Sequence, residues 1–354
     1  MTNEITVIAR AALIGEQLEP IAPARVEISG DKIVSISETP GSPRDARILD
    51  AGDVMLVPGF VDSHVHIGFH QPRDVLQRGV TTVRDLGWPL DEAFDIAQRS
   101  RARTWDGPTV HAVGPIITCP GGYPTRAGWA PEGTGLVVTS VESARDAVVQ
   151  VVSRGAPQVK IALETAAGPV LGDDELYAIV EAAHSAGKAV TSHTRGVDQL
   201  ERALDARVDE LAHTLFTRRP IPDRLIQRMV AAGMAVVPTL SIFHGLSRRV
   251  AIETTRRFFT AGGTILYGTD LGNSGPQPGI DRREVRAMAA AGMSARDIIA
   301  AATVEPRRRL GLSSIGSLEP GADADIVGLG GDPGSRPEDL TDVRFVMRRG
   351  VRVV

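Results

Sequence analysis

Eight short apolar segments recur between residues 57 and 312, and each is followed by a stretch in which apolar residues have helical spacing. This alternation over about 250 residues matches the size of a TIM-like (β/α)8 barrel, an α/β fold. A doubly wound open sheet is the alternative, but its first unit should carry a Gly-rich phosphate loop, which this chain lacks. The eight segments are residues 59–66, 80–83, 109–113, 158–161, 189–193, 210–213, 235–238 and 264–270.

The two ends of the chain have a different pattern, in which short alternating segments are separated by turns. Residues 24–28 and 33–36 flank Gly30-Asp31-Lys32, an arrangement typical of a hairpin. Similar segments return after residue 323. We therefore expect residues 1–56 and 313–354 to form one small β-sandwich domain and residues 57–312 to form the barrel domain.

Charge and cysteine content narrow the function classes. A net charge of −4 gives no electrostatic reason to expect nucleic acid or an anionic membrane as a partner. The single cysteine, Cys119, cannot form an internal disulfide. The first residues do not resemble a signal peptide, and no apolar run reaches the length of a bilayer. We expect a cytoplasmic protein.

Metal-ligand side chains fall where the predicted strands end. His64 and His66 share the first strand, and Lys160, His193, His213 and Asp270 end four others. Reactive groups of a barrel enzyme lie at this end of the strands. Residues i and i+2 of a strand face the same side, so both histidines of the first strand can reach one ion. One His-x-His alone favours ordinary packing, whereas the whole set at strand ends favours a metal site.

Several motifs resemble the amidohydrolase superfamily, in particular its imidazolonepropionase-like and prolidase-like members. Residues 58–66 (PGFVDSHVH) resemble the signature of its first strand, and residues 79–87 (GVTTVRDLG) resemble its second-strand segment. The remaining ligand motifs follow in the expected order. Residues 316–327 (GSLEPGADADIV) resemble the segment that re-enters the small β-domain. The resemblance covers nearly the whole chain.

The resemblance implies a role for each of these residues. His64, His66 and Asp270 would bind the more buried metal, and His193 and His213 the second. Lys160 would bridge the two as N6-carboxylysine. In the alternative, Lys160 is an ordinary lysine paired with an acid such as Glu164, and one metal is bound by His64, His66, His193 and Asp270. We expect zinc, as one or two ions.

The resemblance implies hydrolysis of an amide in a peptide, an N-acyl amino acid or a peptide-derived natural product. The metal activates water, and Asp270 transfers its proton to the leaving nitrogen. The first alternative is hydrolysis of a cyclic amide, lactone or phosphoester. The second is a non-catalytic assembly protein, which the complete ligand set disfavours. The resemblance also implies small-molecule or short-peptide substrates and association into homo-oligomers of unspecified size.

Departures from the family pattern concern the substrate. Tyr123 lies in a Pro/Gly-rich segment where relatives often have Gly-Gly-His, and it is a candidate donor to the substrate carbonyl. Arg195 follows His193 and is a candidate partner for a substrate carboxylate. A loop-capping role for Tyr123 and a surface position for Arg195 are the alternatives. His70 and His244 are further candidates for the pocket lining.

Overall fold

A computed structural model describes residues 4–38, 47–215 and 217–354. The strands are β1 (Glu4–Ala9), β2 (Ala11–Ile14), β3 (Glu19–Ile21), β4 (Ala24–Ser29), β5 (Lys32–Ser37), β6 (Arg47–Asp50), β7 (Met55–Pro58), β8 (Phe60–Val65), β9 (Val80–Asp85), β10 (Thr109–Ala112), β11 (Ile116–Thr118), β12 (Gly135–Val137), β13 (Gln158–Glu164), β14 (Ala189–Arg195), β15 (Glu210–Leu211), β16 (Ala235–Val236), β17 (Thr264–Ile265), β18 (Ile326–Leu329), β19 (Val343–Arg348) and β20 (Val351–Arg352).

The helices alternate with the strands of the middle region. They are α1 (Pro72–Gln77), α2 (Leu90–Arg99), α3 (Val141–Ser153), α4 (Asp173–Ser185), α5 (Val197–Asp205), α6 (Asp223–Ala231), α7 (Gly245–Thr260), α8 (Arg282–Ala290), α9 (Ala295–Ala301) and α10 (Val304–Leu310). Short 3-10 turns occupy Ile67–Phe69, Leu240–Ile242 and Pro337–Thr341. Within the described part of the chain, no helix is both long enough and apolar enough to span a membrane.

All eight predicted middle strands are present, as β8, β9, β10, β13, β14, β15, β16 and β17. They pair in parallel in chain order within two sheets, β10-β9-β8 and β12-β11-β13-β14-β15-β16-β17. The sequence analysis did not find β11 and β12, which are only three residues long and interrupt the segment between β10 and α3. The middle of the chain is therefore an α/β structure with the strand–helix rhythm that the sequence predicts.

Main-chain hydrogen bonds connect the first strand of this region to the segment after the last one. Ser63 N–H donates to Tyr267 O at 2.9 Å, and His66 N–H donates to Leu271 O at 2.7 Å. At the other junction, β11 lies beside β13 through the pair Ile117–Ile161. β8 is thus an edge strand of one parallel sheet, and it is hydrogen-bonded to the segment that follows β17 of the other. Closure into a complete barrel stays a prediction.

The two ends of the chain come together in β-structure. The predicted hairpin is confirmed, because β4 and β5 pair antiparallel across Ser29 and Lys32. β7 pairs antiparallel with β18, which connects the N-terminal and C-terminal parts. Val7, Val26 and Phe345 are among the side chains of one hydrophobic cluster that both parts share. The sandwich packing and the domain boundaries at residues 57 and 312 stay predictions.

Amphipathic helices cover the parallel strands because each buries one apolar stripe. Helix α4 buries Leu176, Ile179 and Ala183, and it ends at Ser185, with Ala186 as its C-cap and Gly187 next. The φ of Gly187 is +66°, a left-handed conformation that glycine adopts without steric cost. The helices cover the faces of the strands but not their carboxyl ends, and the polar side chains of the predicted metal site lie at those ends.

Candidate metal centre

Three of the predicted ligands converge at the carboxyl end of β8. The ligand atoms of His64, His66 and Asp270 all lie within 4.8 Å of one another, and the three residues are buried. Asp270 Oδ1 lies 3.3 Å from His64 Nε2 and 3.4 Å from His66 Nε2. The strand spacing and the β17 segment therefore bring together the side chains that the sequence predicts for the more buried metal.

Backbone carbonyls fix which nitrogen each of these histidines presents to the centre. His64 Nδ1 lies 2.8 Å from Ala212 O, and His66 Nδ1 lies 3.0 Å from Gly87 O. Because a carbonyl only accepts hydrogen bonds, both Nδ1 atoms must carry the proton. When each ring is neutral, its lone pair is on the Nε2 atom that faces Asp270, the orientation that metal-binding histidines require. Burial opposes protonation of His66, but the contact with Asp270 raises its pKa above the ordinary value.

These acceptor atoms test whether a cation fits. Two Nε2 lone pairs and a carboxylate oxygen face one another, and Asp270 Oδ1 is buried without a hydrogen-bond partner among the described residues. Burial lowers the pKa of His64 well below its ordinary value, and this keeps the ring neutral. Acceptors in such an arrangement repel one another unless a cation lies between them, so the residues present fit a divalent metal.

Asp270 is ionised despite its burial. Burial opposes its ionisation, yet the pKa of the carboxyl lies well below its usual value among His64, His213 and His66, and in return Asp270 raises the pKa of His66. The residue has a left-handed φ of +58°, a conformation that Asp adopts more readily than most residues. Its N–H donates to His64 O at 2.8 Å. This bond and the turn after β17 direct the carboxylate toward the histidines.

His193 and His213 lie beside this group. Their ring centroids are 4.8 Å apart, and the His213 centroid is 4.6 Å from that of His64. His193 Nε2 lies 3.2 Å from Glu164 Oε2. Since an ionised carboxylate only accepts, Nε2 donates and Nδ1 of His193 keeps the lone pair. His213 Nδ1 lies 2.8 Å from Thr239 Oγ1.

Lys160 is buried beside these side chains. Only 2% of the residue is exposed, and Nζ has no hydrogen-bond partner among the described residues. Burial lowers the pKa of its amine to about 7, and the charge of Arg84 adds to this effect, while Asp270 and Glu210 oppose it. Among the described residues, no hydrogen bond joins Lys160 to Glu164. The Glu164 carboxylate instead contacts His193 and lies 3.7 Å from Arg195 Nη1.

A buried ion pair lies beneath the centre and was not anticipated from the sequence. Arg84 Nη2 donates to Glu210 Oε1 at 2.6 Å, and Arg84 Nε donates to Ser63 O at 2.8 Å. Arg84 also contacts Gln158, two residues before Lys160. Arg84 therefore connects strands β8, β13 and β15, which carry or precede metal-ligand side chains.

Of the four predicted substrate-binding residues, Tyr123 and Arg195 lie beside residues of the metal centre, whereas, in the described part of the chain, His70 and His244 make no polar or ring contact with it. The ring of Tyr123 stacks on His193 with centroids 4.5 Å apart, and the side chain of Arg195 is 45% exposed beside Glu164. His70 follows the Ile67–Phe69 turn, and His244 precedes α7. Across residues 4–38, 47–215 and 217–354, neither His70 nor His244 forms a hydrogen bond, ion pair or ring contact with the metal centre.

Sequence reasoning missed three residues that contact the ligands: Trp129, whose ring centroid lies 4.8 Å from that of His66, and Glu164 and Thr239, which contact His193 and His213. Glu164 lies four residues after Lys160 on β13, so an even spacing along the strand was the available signal. Trp129 and Thr239 lie in irregular segments, where no periodicity shows the direction of a side chain.

The fold and the cluster define an α/β protein with a buried histidine–carboxylate metal-ligand site. The sequence pattern of the amidohydrolase family matches residues 55–353. The chain belongs to the amidohydrolase family, which indicates a hydrolase.

Several relatives and solved structures are similar to this chain. Adenine deaminase 2 of Rhizobium meliloti (strain 1021) is 30% identical over 324 residues, which are 86% of this chain and 50% of the relative. An uncharacterised protein of Mycobacterium bovis is 28% identical, with 86% of each chain covered. This chain thus spans about half the length of the adenine deaminase that it matches.

Solved structures match the fold along nearly the whole chain. A Xaa-Pro dipeptidase with bound methionine in the active site has a TM-score of 0.83 and 24% identity, with 99% of both chains covered. Ochratoxinase of A. niger has a TM-score of 0.81 and 21% identity, with 99% of this chain and 95% of that chain covered. Together with the family, these likenesses imply a TIM-like barrel.

Proposed function

We propose that this protein is a metal-dependent hydrolase that cuts an amide in a peptide, an N-acyl amino acid or a peptide-derived natural product. The observation that carries the proposal is the convergence of His64, His66 and Asp270 on one point, where backbone carbonyls bind both Nδ1 atoms and both Nε2 atoms face the carboxylate. A structural cluster of buried histidines would instead use both ring nitrogens for hydrogen bonds within the protein.

The proposal assigns His64, His66 and Asp270 to one zinc ion and His193 and His213 to a second. His193 would offer Nδ1 and His213 would offer Nε2, because Glu164 and Thr239 contact their other ring nitrogens. When bound, such cations lower the pKa of water and polarise a carbonyl group.

Lys160 is proposed to be N6-carboxylysine. The neutral Nζ amine attacks the carbon of carbon dioxide, an N–C bond forms, and one proton leaves to solvent. A buried lysine whose pKa lies near 7 has the free amine that this step needs. The product carries two anionic oxygens in a place where the unmodified ammonium would repel cations.

Asp270 is proposed to transfer the proton. Its Oδ1 faces His64 and His66, while its Oδ2 lies 3.9 Å from His213 Nδ1, so the carboxylate lies between the two groups of histidines. From this position it takes a proton from the attacking water and delivers it to the leaving nitrogen. Histidines around the carboxylate keep it ionised, as a general base must be before the reaction begins.

Deamination of a heterocycle is the second candidate, and the similarity to adenine deaminase 2 of Rhizobium meliloti favours it. Deamination is also hydrolysis of a C–N bond, at a ring carbon rather than at a carbonyl carbon. The same ligands and Asp270 would serve both reactions. The two candidates therefore differ in the substrate pocket and not in the metal centre.

The architecture that accompanies this proposal is a closed (β/α)8 barrel over residues 57–312 and a β-sandwich made from residues 1–56 and 313–354. The shared hydrophobic cluster of the terminal strands supports the sandwich. The hydrogen bonds between Ser63 and Tyr267 and between His66 and Leu271 support closure beside β8. A cytoplasmic location and homo-oligomerisation stay predictions.

The test is a turnover assay of the zinc-loaded protein against dipeptides, N-acyl amino acids, lactones and aminopurines. We expect hydrolysis of a C–N bond, and Asp270→Asn should lower kcat by at least about a hundredfold, the usual contribution of a positioned acid–base group. Asp53→Asn is the matched control, because Asp53 is 83% exposed and pairs with Arg10 on the surface. Near-normal turnover by Asp270→Asn, or no turnover of any class by the zinc-loaded protein, would contradict the proposal.

A further inference from the structure

Four aromatic side chains lie together beside the metal centre: Phe69, Trp88, Tyr123 and Trp129, here called the aromatic wall. The whole chain has only 3 tryptophans, 3 tyrosines and 8 phenylalanines. Two of the three tryptophans are thus in one place, on loops that follow different strands. Trp88 packs against the hydrophobic core, but core packing does not explain the other three, because Phe69 is 42% exposed and Tyr123 and Trp129 are half-buried.

The aromatic wall adjoins the ligand side chains directly. The Trp129 ring centroid lies 4.8 Å from that of His66, and the Tyr123 centroid lies 4.5 Å from that of His193. His66 and His193 are proposed ligands of different ions, so the wall reaches both halves of the centre. A group bound on the aromatic wall would therefore lie close to the proposed metal ligands His66 and His193.

Phe69 is held in place although it is exposed. It ends the Ile67–Phe69 turn that follows His66, and its ring meets Trp88 edge to face with centroids 5.0 Å apart. A Cβ atom at Gly68 would lie 2.4 Å from the Trp88 ring, and one at Gly272 would lie 3.0 Å from the Phe69 ring. The two glycines thus allow the rings to approach, and one apolar surface of Phe69 stays open to solvent.

The spacing of the rings determines how a ligand would contact them. Phe69 and Trp129 have centroids 6.3 Å apart at an interplanar angle of 66°. Neighbouring aromatic rings pack with centroids about 4.5–7 Å apart, so no third ring fits between these two. An incoming ring would instead lie across the open surface that they share, where it meets the face of one and the edge of the other.

We propose that the aromatic wall binds a planar aromatic ring attached next to the scissile C–N bond of the substrate. This inference rests on the proposed function and narrows its substrate class. The π-faces of the wall are electronegative and the edges of an aromatic ring are electropositive, so a planar ring gains edge-to-face attraction in addition to burial. A saturated ring of similar size gains only the burial.

The test is isothermal titration calorimetry of the zinc-loaded protein with three hydroxamates that share one metal-binding head group: acetohydroxamate, cyclohexanecarbohydroxamate and benzohydroxamate. We expect benzohydroxamate to bind about tenfold or more tightly than acetohydroxamate. It should bind about two- to tenfold more tightly than the cyclohexane compound, the range expected for an aromatic pair beyond its buried area. Binding needs no turnover, so the result is independent of the reaction.

Substitutions show whether the aromatic wall causes the preference for the phenyl ring. Trp129→Leu and Phe69→Leu should each remove most of the preference for the phenyl ring, and the exposed Phe69 gives a variant that should fold normally. Trp105→Phe is the matched control and should keep the preference, because Trp105 precedes the amino end of β10 and donates to Pro108 O at 2.9 Å.

Equal affinity for benzohydroxamate and cyclohexanecarbohydroxamate would overturn the inference, as would a preference that survives both wall substitutions. If none of the three compounds binds, the proposed metal centre and the aromatic wall fail together. If the phenyl preference is present but no C–N substrate is turned over, the proposed reaction fails and the ring-binding role of the wall stands.

Discussion

Removal of Arg84 should destabilise both the fold and the metal centre. The side chain is fully buried and its guanidinium donates to both carboxylate oxygens of Glu210, at 2.6 and 3.2 Å. Arg84→Met would leave Glu210, which is 1% exposed, as a buried charge without its partner. Loss of one member of a buried ion pair costs about 3–5 kcal/mol, so the free energy of unfolding should fall by that amount.

Urea unfolding followed by fluorescence and circular dichroism measures this change, with the metal content held equal in both proteins. Arg84→Met combined with Glu210→Leu should recover most of the loss, because no uncompensated charge remains. Arg99→Met is the surface control. Arg99 and Asp95 are 60% and 62% exposed, so their pair should contribute less than about 1 kcal/mol.

The position of the ion pair adds a second readout. Arg84 Nε donates to the carbonyl of Ser63, next to His64, and Glu210 lies three residues before His213. Zinc affinity should therefore fall together with stability in Arg84→Met. A loss of stability below about 1 kcal/mol, or a double variant no more stable than the single one, would refute the reasoning that the buried charge is the cause.

Three further predictions concern the ligands, the pH dependence and the bound metal. Glu164→Gln should weaken binding of the second zinc ion about ten- to a hundredfold in calorimetric titration, because an amide no longer fixes His193 as a carboxylate does. Burial lowers the pKa of His111 from 6.5 to about 4, with Arg101 and Arg84 adding to the effect, so the unfolded chain takes up a proton that the folded protein resists. Stability should fall as the pH drops through this interval, and His111→Leu should reduce that fall in urea unfolding. Removal of metal by a chelator should lower the melting temperature, since zinc at a hundred times its Kd stabilises the native state by about 2.7 kcal/mol.

Each of these three predictions has a control or an outcome that would contradict it. Glu181→Gln, on the exposed surface of α4, should leave zinc binding unchanged, and equal affinities of Glu164→Gln and the unaltered protein would contradict the positioning role. At pH 8 the effect of His111→Leu should reflect packing alone, so the same difference in stability at pH 5 and pH 8 would count against the linkage argument. A melting temperature that does not respond to zinc in either direction would contradict a metal ion bound to the native state.

The sequence predicted the parts of the site that follow from strand geometry. His64 and His66 are two residues apart on β8, so their common direction follows from the alternation of a strand. All eight parallel strands of the middle region were located because each is an apolar run between polar helix surfaces. Asp270 was expected beside them because it ends the last predicted strand and because the family resemblance implies that it is a ligand.

The parts that were missed depend on contacts distant in sequence. The Arg84–Glu210 pair joins residues 126 apart, and a buried charged residue in a strand pattern gives no indication of its partner. Glu164 was named only in the alternative, as an acid near Lys160, whereas the structure pairs it with His193 on the next strand. Trp129 lies in a loop rich in glycine and proline, whose course is set by tertiary packing and not by a repeat.

The most direct test of the account is the zinc content of the purified protein after loading and exhaustive dialysis, measured by inductively coupled plasma mass spectrometry. The unaltered chain should retain at least one zinc ion per molecule, and the variant with both His64→Asn and His66→Asn should retain fewer at the same concentration, because it keeps only the proposed ligands of the second ion. Loss of all zinc from the unaltered chain, or equal retention by the doubly substituted one, would show that the converging histidines and carboxylate are not a metal centre.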